Sequence, residues 1–117
     1  MAAKTVDPSN EFLPLTPAVF FILFALANGE KHGYAIMKEV SILSDGKVRM
    51  GPGTLYTTIQ RLFELGLIEE GKTDDKERRR YYRLTREGRL VFRAELSRLD
   101  KVLHLAVDHR QVFLPGA

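Results

Sequence analysis

Apolar residues recur at helical spacing along several segments of the chain. The first segment, AVFFILFALA, lies between Thr16-Pro17 and Asn28-Gly29 and is apolar on every side. Thr is a common N-cap, Pro suits the first helical position, and Asn-Gly commonly follows a last turn. The pattern therefore predicts a helix that is buried all round, and part of it can face another subunit.

The middle of the chain alternates between helical and strand-like patterns. Apolar spacing predicts a second helix over about residues 32–44 and a third over about 52–65, closed by Gly66. A short strand is predicted over 67–72, a polar turn follows, and a Tyr- and Arg-rich strand is predicted over 78–84. These two strands would form a β-hairpin.

A long last helix is predicted from Thr85, its N-cap, to about residue 109. Its apolar positions are separated by four and three residues in turn, which is the spacing of a coiled-coil seam. If exposed on a monomer, such a seam would be an apolar liability, so the sequence predicts a homodimer. The candidate dimer-interface residues are Phe20, Phe24, Phe92, Leu96, Leu99 and Leu103.

The order of elements is helix, helix, helix, strand, turn, strand, long helix. It predicts a mainly α fold with a small β-hairpin (α+β), namely a winged helix-turn-helix with a long C-terminal dimerisation helix. We expect a flexible N-terminal arm over residues 1–14, the winged helix-turn-helix over 15–84, the dimerisation helix over 85–110 and a tail over 111–117.

Composition narrows the class of protein. A chain of 117 residues suits one domain. The chain has no cysteine, so disulfides and Cys-type zinc sites are excluded. The absence of cysteine also suits a reducing cytoplasm. The N-terminus lacks the apolar region of a signal peptide, and the longest apolar run, residues 18–27, is too short to span a bilayer. No nucleophile, P-loop or metalloprotease motif is found. We expect a cytoplasmic protein with no enzymatic activity, no cofactor and no membrane contact.

Charge is unevenly distributed. The net charge is +3, yet residues 72–93 hold nine bases and four acids, a net +5. The rest of the chain holds nine bases and eleven acids, a net −2. A basic segment is typical of contact with a polyanion, although a solvated charged face is the commoner outcome of a charge run.

The third helix has a polar face opposite its buried stripe. In a helix-turn-helix the second helix of the pair lies in the DNA major groove, and Thr, Gln and Arg supply the donors and acceptors that groove contacts need. A polar outer face alone is also what any surface helix shows, but the basic hairpin favours DNA. The candidate DNA-binding residues on these patterns are Thr54, Thr57, Gln60, Arg61, Lys76, Arg78, Arg79 and Arg80.

Other candidate sites have simpler interpretations. His104 and Asp108 are four residues apart and could share a metal ion, but no third ligand is evident, so we expect no metal site. A group of apolar residues, Phe20, Phe21, Phe24 and Met37, could line a ligand site, although plain core is favoured. Strand alternation predicts that Tyr82 lies in the core and Tyr81 on the opposite face.

Three motifs in order resemble the signatures of PadR-family transcriptional regulators: HGYAIMKEV at 32–40, GPGTLYTTIQRLFELGLIEE at 51–70 and RRYYRLTREGR at 79–89. The resemblance implies a winged-helix homodimer that represses transcription by binding double-stranded DNA at a dyad-symmetric operator. In that family the GTLY helix reads DNA, which implies that Tyr56 lies at the DNA side, whereas helical geometry puts it on the flank. The family's His-Gly-Tyr is structural, so His32 is expected to cap and pack.

The C-terminal part resembles that of the short subfamily, where the last helix and the N-terminal helix build the dimer. Some short members bind flat, apolar compounds between their subunits and often use a Trp there. This chain has no Trp, so an apolar small-molecule effector is left open. The alternative function is a winged-helix protein-interaction module that does not contact DNA.

Overall fold

The structure, a computed structural model, describes residues 11–72 and 78–109. The sequence-predicted order of elements is confirmed, with one additional strand. The described elements are α1 (Pro17–Ala27), β1 (Lys31–His32), α2 (Gly33–Leu43), α3 (Pro52–Glu64), β2 (Ile68–Glu70), β3 (Tyr81–Leu84) and α4 (Arg86–Asp108). Residues 1–10 of the predicted arm (1–14), the predicted turn at 73–77 and residues 110–117, which include the predicted tail (111–117), lie outside the described residues. Residues 11–14 of the predicted arm are described, and Phe12 and Leu13 among them pack against the core, so this part is not a loose arm.

Side-chain caps fix where three helices begin. Thr16 Oγ1 accepts from the Val19 N–H, and Thr85 Oγ1 accepts from the Gly88 N–H, as the sequence predicts for α1 and α4. His32 Nδ1 accepts from the Ala35 N–H at 3.2 Å, which confirms its capping role for α2. Each cap satisfies one N–H that the helix itself leaves without a carbonyl partner.

The described strands form one antiparallel sheet in the order β1-β3-β2. Sequence analysis missed β1, which pairs Lys31 with Tyr82 and His32 with Tyr81. The returning strand is shorter than predicted and begins at Tyr81, not at residue 78. Arg78 has φ 55°, in the left-handed region, and a residue in that conformation cannot continue a β ladder.

One apolar core joins all four helices to the sheet. It contains Ile22, Leu23, Leu26, Ile36, Val40, Leu55, Ile59, Leu62, Leu67, Ile68, Tyr82, Leu84, Val91 and Phe92. The predicted alternation of β3 is confirmed, since Tyr82 and Leu84 are buried whereas Tyr81 is half-buried and Arg83 is exposed. Leu55, Ile59 and Leu62 of α3 belong to this core, so the opposite, polar face of that helix points outward.

The prediction that α1 is buried all round is wrong for the single chain. Its buried residues, Ile22, Leu23, Ala25 and Leu26, face α2, β3 and α4. Phe20, Phe21 and Phe24 pack on the edge of the core and remain partly exposed. The helix is apolar on every side, but the described part of one chain covers only one side of it.

Within the described part of the chain, no helix combines the length and the apolar character that crossing a membrane requires.

Candidate nucleic-acid interface

The outward face of α3 is polar and accessible. Leu55, Ile59 and Leu62 anchor the helix and are at most 3% exposed. The side chains predicted to read DNA, Thr54, Tyr56, Thr57, Gln60 and Arg61, are all exposed. The burial of one stripe therefore fixes the rotation of α3 and presents the opposite stripe to solvent.

Two polar side chains on α3 interact within the helix. Thr58 Oγ1 donates to the Thr54 carbonyl at 2.8 Å, and Gln60 Nε2 donates to Glu64 Oε2 at 3.2 Å. This bond uses one N–H of the Gln60 amide and leaves its second N–H and its oxygen for another partner. Thr57 and Arg61 lie with Tyr56, Gln60 and Glu64 around one shallow depression.

Tyr56 lies at the junction of α2 and α3. Its ring covers Gly33, where an added Cβ would overlap the Tyr56 hydroxyl. Only a residue without a side chain fits at the first position of α2 in this arrangement. The Tyr56 hydroxyl thus lies beside the start of α2, and the residue remains 47% exposed.

The base of the wing meets α3 at Tyr56. Arg79 and Arg80 line a cavity of about 310 Å³ together with His32, Tyr34 and Tyr56. Arg80 Nε also lies 3.1 Å from Glu70 Oε2. The structure thus brings two predicted wing residues next to α3, and adds His32 and Tyr34, which sequence analysis did not assign to this surface. Lys76 lies outside the described residues.

The His32 ring also contacts the base of the wing. His32 Nδ1 accepts the Ala35 N–H, and the other ring nitrogen, Nε2, lies 3.0 Å from Arg79 Nη1. His32 therefore links the start of α2 to Arg79.

Ion pairs with glutamates neutralise part of the positive charge of the basic segment, residues 72–93. Arg83 Nε donates to Glu69 Oε2 at 2.8 Å, and its Nη1 donates to Glu30 Oε2 at 3.2 Å. The hydrogen bond that Arg83 donates to Glu69, then the one that it donates to Glu30, raises the pKa of Arg83. With Arg80 paired to Glu70, two arginines of the segment already face carboxylates, so the sequence count of +5 overstates the charge available to a polyanion.

An apolar row lies exposed along α4. Leu96, Leu99 and Leu103 of the predicted seam are 43%, 39% and 52% exposed. Val102 and Val107, which sequence analysis did not include, extend the row at 50% and 43% exposure. Exposed apolar surface of this length on one helix is typical of an interaction surface.

Phe92 has a different environment from the rest of the predicted seam. It is 7% exposed, and its ring lies 5.5 Å from the rings of both Phe20 and Phe24. The single chain already buries Phe92, because the first turns of α4 pack against α1. Phe92 is therefore a core residue that supports the half-buried Phe20 and Phe24, and it offers little surface of its own.

Glu95 is a buried carboxylate that sequence analysis missed. It is 2% exposed and accepts from the Leu15 N–H at 3.0 Å. Its two oxygens also accept from Arg98 Nε and Nη2, at 2.6 and 3.0 Å. These bonds to the Arg98 guanidinium, followed by that from Leu15, lower the pKa of Glu95 despite its burial. The only sequence signal was the i, i+3 spacing of Glu95 and Arg98.

The suggested pairing of His104 with Asp108 is not what the structure favours. His104 Nδ1 lies 2.9 Å from the Asp100 carbonyl oxygen and 3.5 Å from Asp100 Oδ1. Nowhere in residues 11–72 and 78–109 do three acidic, histidine or cysteine side chains gather in a way that could hold a metal ion.

The elements described above define a class of protein. Three helices, a three-stranded antiparallel sheet and a basic β-hairpin beside the third helix are the parts of a winged helix-turn-helix. Residues 22–94 match the family described as "Transcriptional regulator PadR-like family". The chain belongs to this family of transcriptional regulators.

Three similar proteins illustrate how far the likeness reaches. A Mycobacterium tuberculosis protein named transcriptional regulator Rv3488 is 37% identical over 82 residues, covering 69% of this chain and 74% of that protein. An uncharacterised 37.1 kDa protein in transposon TN4556 of Streptomyces fradiae is also 37% identical, over 85 residues. That match covers 73% of this chain but only 24% of the relative.

The third similar protein is Bacillus subtilis PadR, whose structure was solved in complex with operator DNA. It superposes with a TM-score of 0.62 at 22% identity, over 71% of this chain and 47% of that one. This likeness confirms the winged-helix fold.

Proposed function

We propose that the protein is a homodimeric, sequence-specific DNA-binding regulator that represses transcription from a dyad-symmetric promoter site. One observation carries the proposal. Tyr56 lines both the depression on the outward face of α3 and the cavity at the base of the wing. The polar outward face of α3 and the two arginines at the base of the wing, Arg79 and Arg80, therefore form one continuous surface. Contact with a groove and its flanking phosphates requires such a surface.

The proposed roles follow from chemistry and position. Thr57, Gln60 and Arg61 reach base edges in the major groove, with Thr54 and Tyr56 at the rim of the same face. Arg78, Arg79 and Arg80, with Lys76 at the wing tip, contact the backbone or the adjacent minor groove. These four basic residues supply affinity that is largely independent of sequence.

The dimer is proposed to form through the exposed part of α4, with Phe20 and Phe24 of α1 beside it. Leu96, Leu99 and Leu103 then pack against the same residues of a second copy around a two-fold axis. The two α3 helices would address half-sites one helical turn, about 34 Å, or a multiple of it apart. An apolar small molecule that changed this spacing by a few ångströms would release the DNA, because the half-site separation is fixed.

The test is recovery of DNA by the purified protein. Fragmented genomic DNA from the source organism is incubated with the protein at near-physiological salt, recovered and sequenced. A shared dyad-symmetric site among the recovered fragments is the expected result. Recovery without a shared site would indicate non-specific binding through the wing.

A double variant serves as the control in the same experiment. Thr57→Ala/Arg61→Ala should still bind DNA through the wing, yet it should no longer select the shared site. Recovery of no DNA by the wild-type protein would refute the proposal and favour a winged-helix module that binds another protein.

A further inference from the structure

The carboxylate of Glu30 contacts the wing on both sides of its base, just after β2 and within β3. Glu30 Oε1 accepts from the Lys72 backbone N–H at 3.0 Å, and Glu30 Oε2 accepts from Arg83 Nη1 at 3.2 Å. Lys72 follows β2, and Arg83 lies in β3. Glu30 itself precedes β1, so a side chain from the turn after α1 holds the base of the hairpin.

Gly71 allows this close approach. A Cβ at residue 71 would lie 2.5 Å from Glu30 Oε1, closer than real Cβ contacts come. The Gly71 N–H donates to the Tyr81 carbonyl at 2.8 Å, which keeps the backbone of residue 71 beside β3. If the two compete for this space, the Glu30 carboxylate moves, because it is the free end of a flexible side chain.

These contacts affect the direction of the wing more than the stability of the fold. The Glu30 and Arg83 side chains are 32% and 44% exposed, and ion pairs with that much solvent contact contribute little to folding. The hydrogen bond from the Lys72 N–H, followed by that from Arg83, lowers the pKa of Glu30. Glu30 is therefore ionised at neutral pH, and the bond it accepts from Lys72 is charge-assisted.

We infer that Glu30 is a positioning residue that sets the orientation of the wing relative to α3, and thereby the contribution of the wing to DNA binding. The inference rests on the proposed function. Glu30 acts through Lys72 and Arg83 and makes no DNA contact of its own. Its removal detaches the backbone at Lys72 from the turn before α2, while β3 stays paired with β1. The wing then loses a fixed direction, so its basic side chains no longer meet phosphates in register with the groove that α3 occupies.

Affinity measured at several salt concentrations tests this role. The probe is a duplex fragment recovered in the DNA experiment above, and binding is followed by fluorescence anisotropy between roughly 50 and 200 mM salt. Affinity decreases as salt increases, so the plot of log affinity against log salt has a negative slope. For every phosphate that the Glu30→Ala protein no longer neutralises, this slope should become shallower by about 0.9. The same polyelectrolyte relation gives about an eightfold decrease in affinity at roughly 100 mM salt for one such phosphate.

Glu69→Ala is a matched control. It removes the same charge from the other side of Arg83 and leaves the Lys72 contact intact. Deleting an acid alone strengthens attraction to DNA, so Glu69→Ala should bind as tightly as the wild type or more tightly. The positioning role predicts the opposite sign for Glu30→Ala, which separates orientation from charge.

Two further variants connect the effect to the geometry. Gly71→Ala should weaken DNA binding as Glu30→Ala does, and it should cause no further weakening in a Glu30→Ala background. Glu30→Gln should recover most of the affinity, because its amide oxygen can still accept from the Lys72 N–H. All variants should melt close to the wild type, and the Lys72 amide should exchange with solvent faster in Glu30→Ala.

The outcomes distinguish this inference from the proposed function. A wild-type protein that binds no DNA would overturn the proposed function, and this inference with it. Wild-type binding that is matched by both Glu30→Ala and Gly71→Ala would overturn the inference alone. Equal decreases in affinity for Glu30→Ala and Glu69→Ala would do the same, since the effect would then follow Arg83 and not the Lys72 contact.

Discussion

The buried Glu95 makes a quantitative prediction about stability. Glu95→Gln keeps the size of the side chain but replaces a carboxylate that accepts from Leu15 and twice from Arg98. A glutamine has a single acceptor oxygen, so at least one bond to a charged donor disappears, which amounts to about 1.5–3 kcal/mol. The neutral amide is easier to bury, which offsets part of that decrease. We expect a net decrease in the free energy of unfolding of about 1–2 kcal/mol at pH 7.

Denaturant unfolding measures this change. The protein concentration is kept fixed, because the stability of the proposed dimer would depend on it. For a domain of this size the change corresponds to roughly 4–8 °C in melting temperature. Asp100→Asn is the control, since Asp100 lies on the same helix with its side chain 66% exposed. It should shift the melting temperature by no more than about 2 °C.

The pH dependence gives a second signature of the same contact. The pKa of Glu95 is lower in the folded chain than its ordinary value of 4.5. Its ionised form therefore stabilises the protein above that ordinary value, and the contribution is lost as the pH falls through the lowered folded pKa. The stability gap between wild type and Glu95→Gln should shrink in that acidic range. A gap that stays constant from about pH 7 to about pH 3, or no gap at neutral pH, would refute the reasoning.

Three further predictions concern the dimer, the α2–α3 junction and the DNA surface. Leu103→Glu should keep the helical circular dichroism spectrum but convert the proposed dimer to a monomer in sedimentation at micromolar concentration. An unchanged sedimentation coefficient would count against the proposed α4 interface. Gly33→Ala should lower the melting temperature by several degrees because its Cβ meets Tyr56, and Tyr56→Ala should remove most of that effect. If the two changes are simply additive, the contact is not responsible. Arg79→Ala should weaken binding to all DNA sequences and lower the salt slope by about one, whereas Arg61→Ala should alter sequence preference in a selection experiment. The reverse pattern would exchange the roles assigned to the wing and α3.

Local signals explain why the helices were predictable. Thr16 and Thr85 cap helices because a threonine hydroxyl can reach an N–H three residues later, and that relation is visible in the sequence. The stripe of Leu55, Ile59 and Leu62 likewise fixes the outward face of α3 without knowledge of the rest of the fold. Short-range sequence patterns were therefore enough to predict where these helices begin and which face of α3 is buried and which is exposed.

Contacts between distant segments explain what the sequence did not reveal. Strand β1 is two residues long and exists only because Lys31 and His32 pair with β3, which lies far away along the chain. The burial of Glu95 depends on Leu15, and that of Phe92 depends on Phe20 and Phe24. Heptad spacing assigned Phe92 to the predicted seam, but spacing along one helix could not show that α1 already covers that position.

The division of α4 into a packed part and a projecting part has a mechanical consequence. The buried residues of the helix end at Glu95, whereas residues 96–109 are almost wholly exposed. At about 1.5 Å per residue, the projecting part of α4 is a lever of about 20 Å, with the aromatic cluster of Phe20, Phe24 and Phe92 at its fulcrum. A tilt of roughly 10° at that point displaces the far end by about 3.5 Å. A small change in the packing of these three rings can thus shift the C-terminal end of α4 by several ångströms, and a partner bound to that end would be displaced with it.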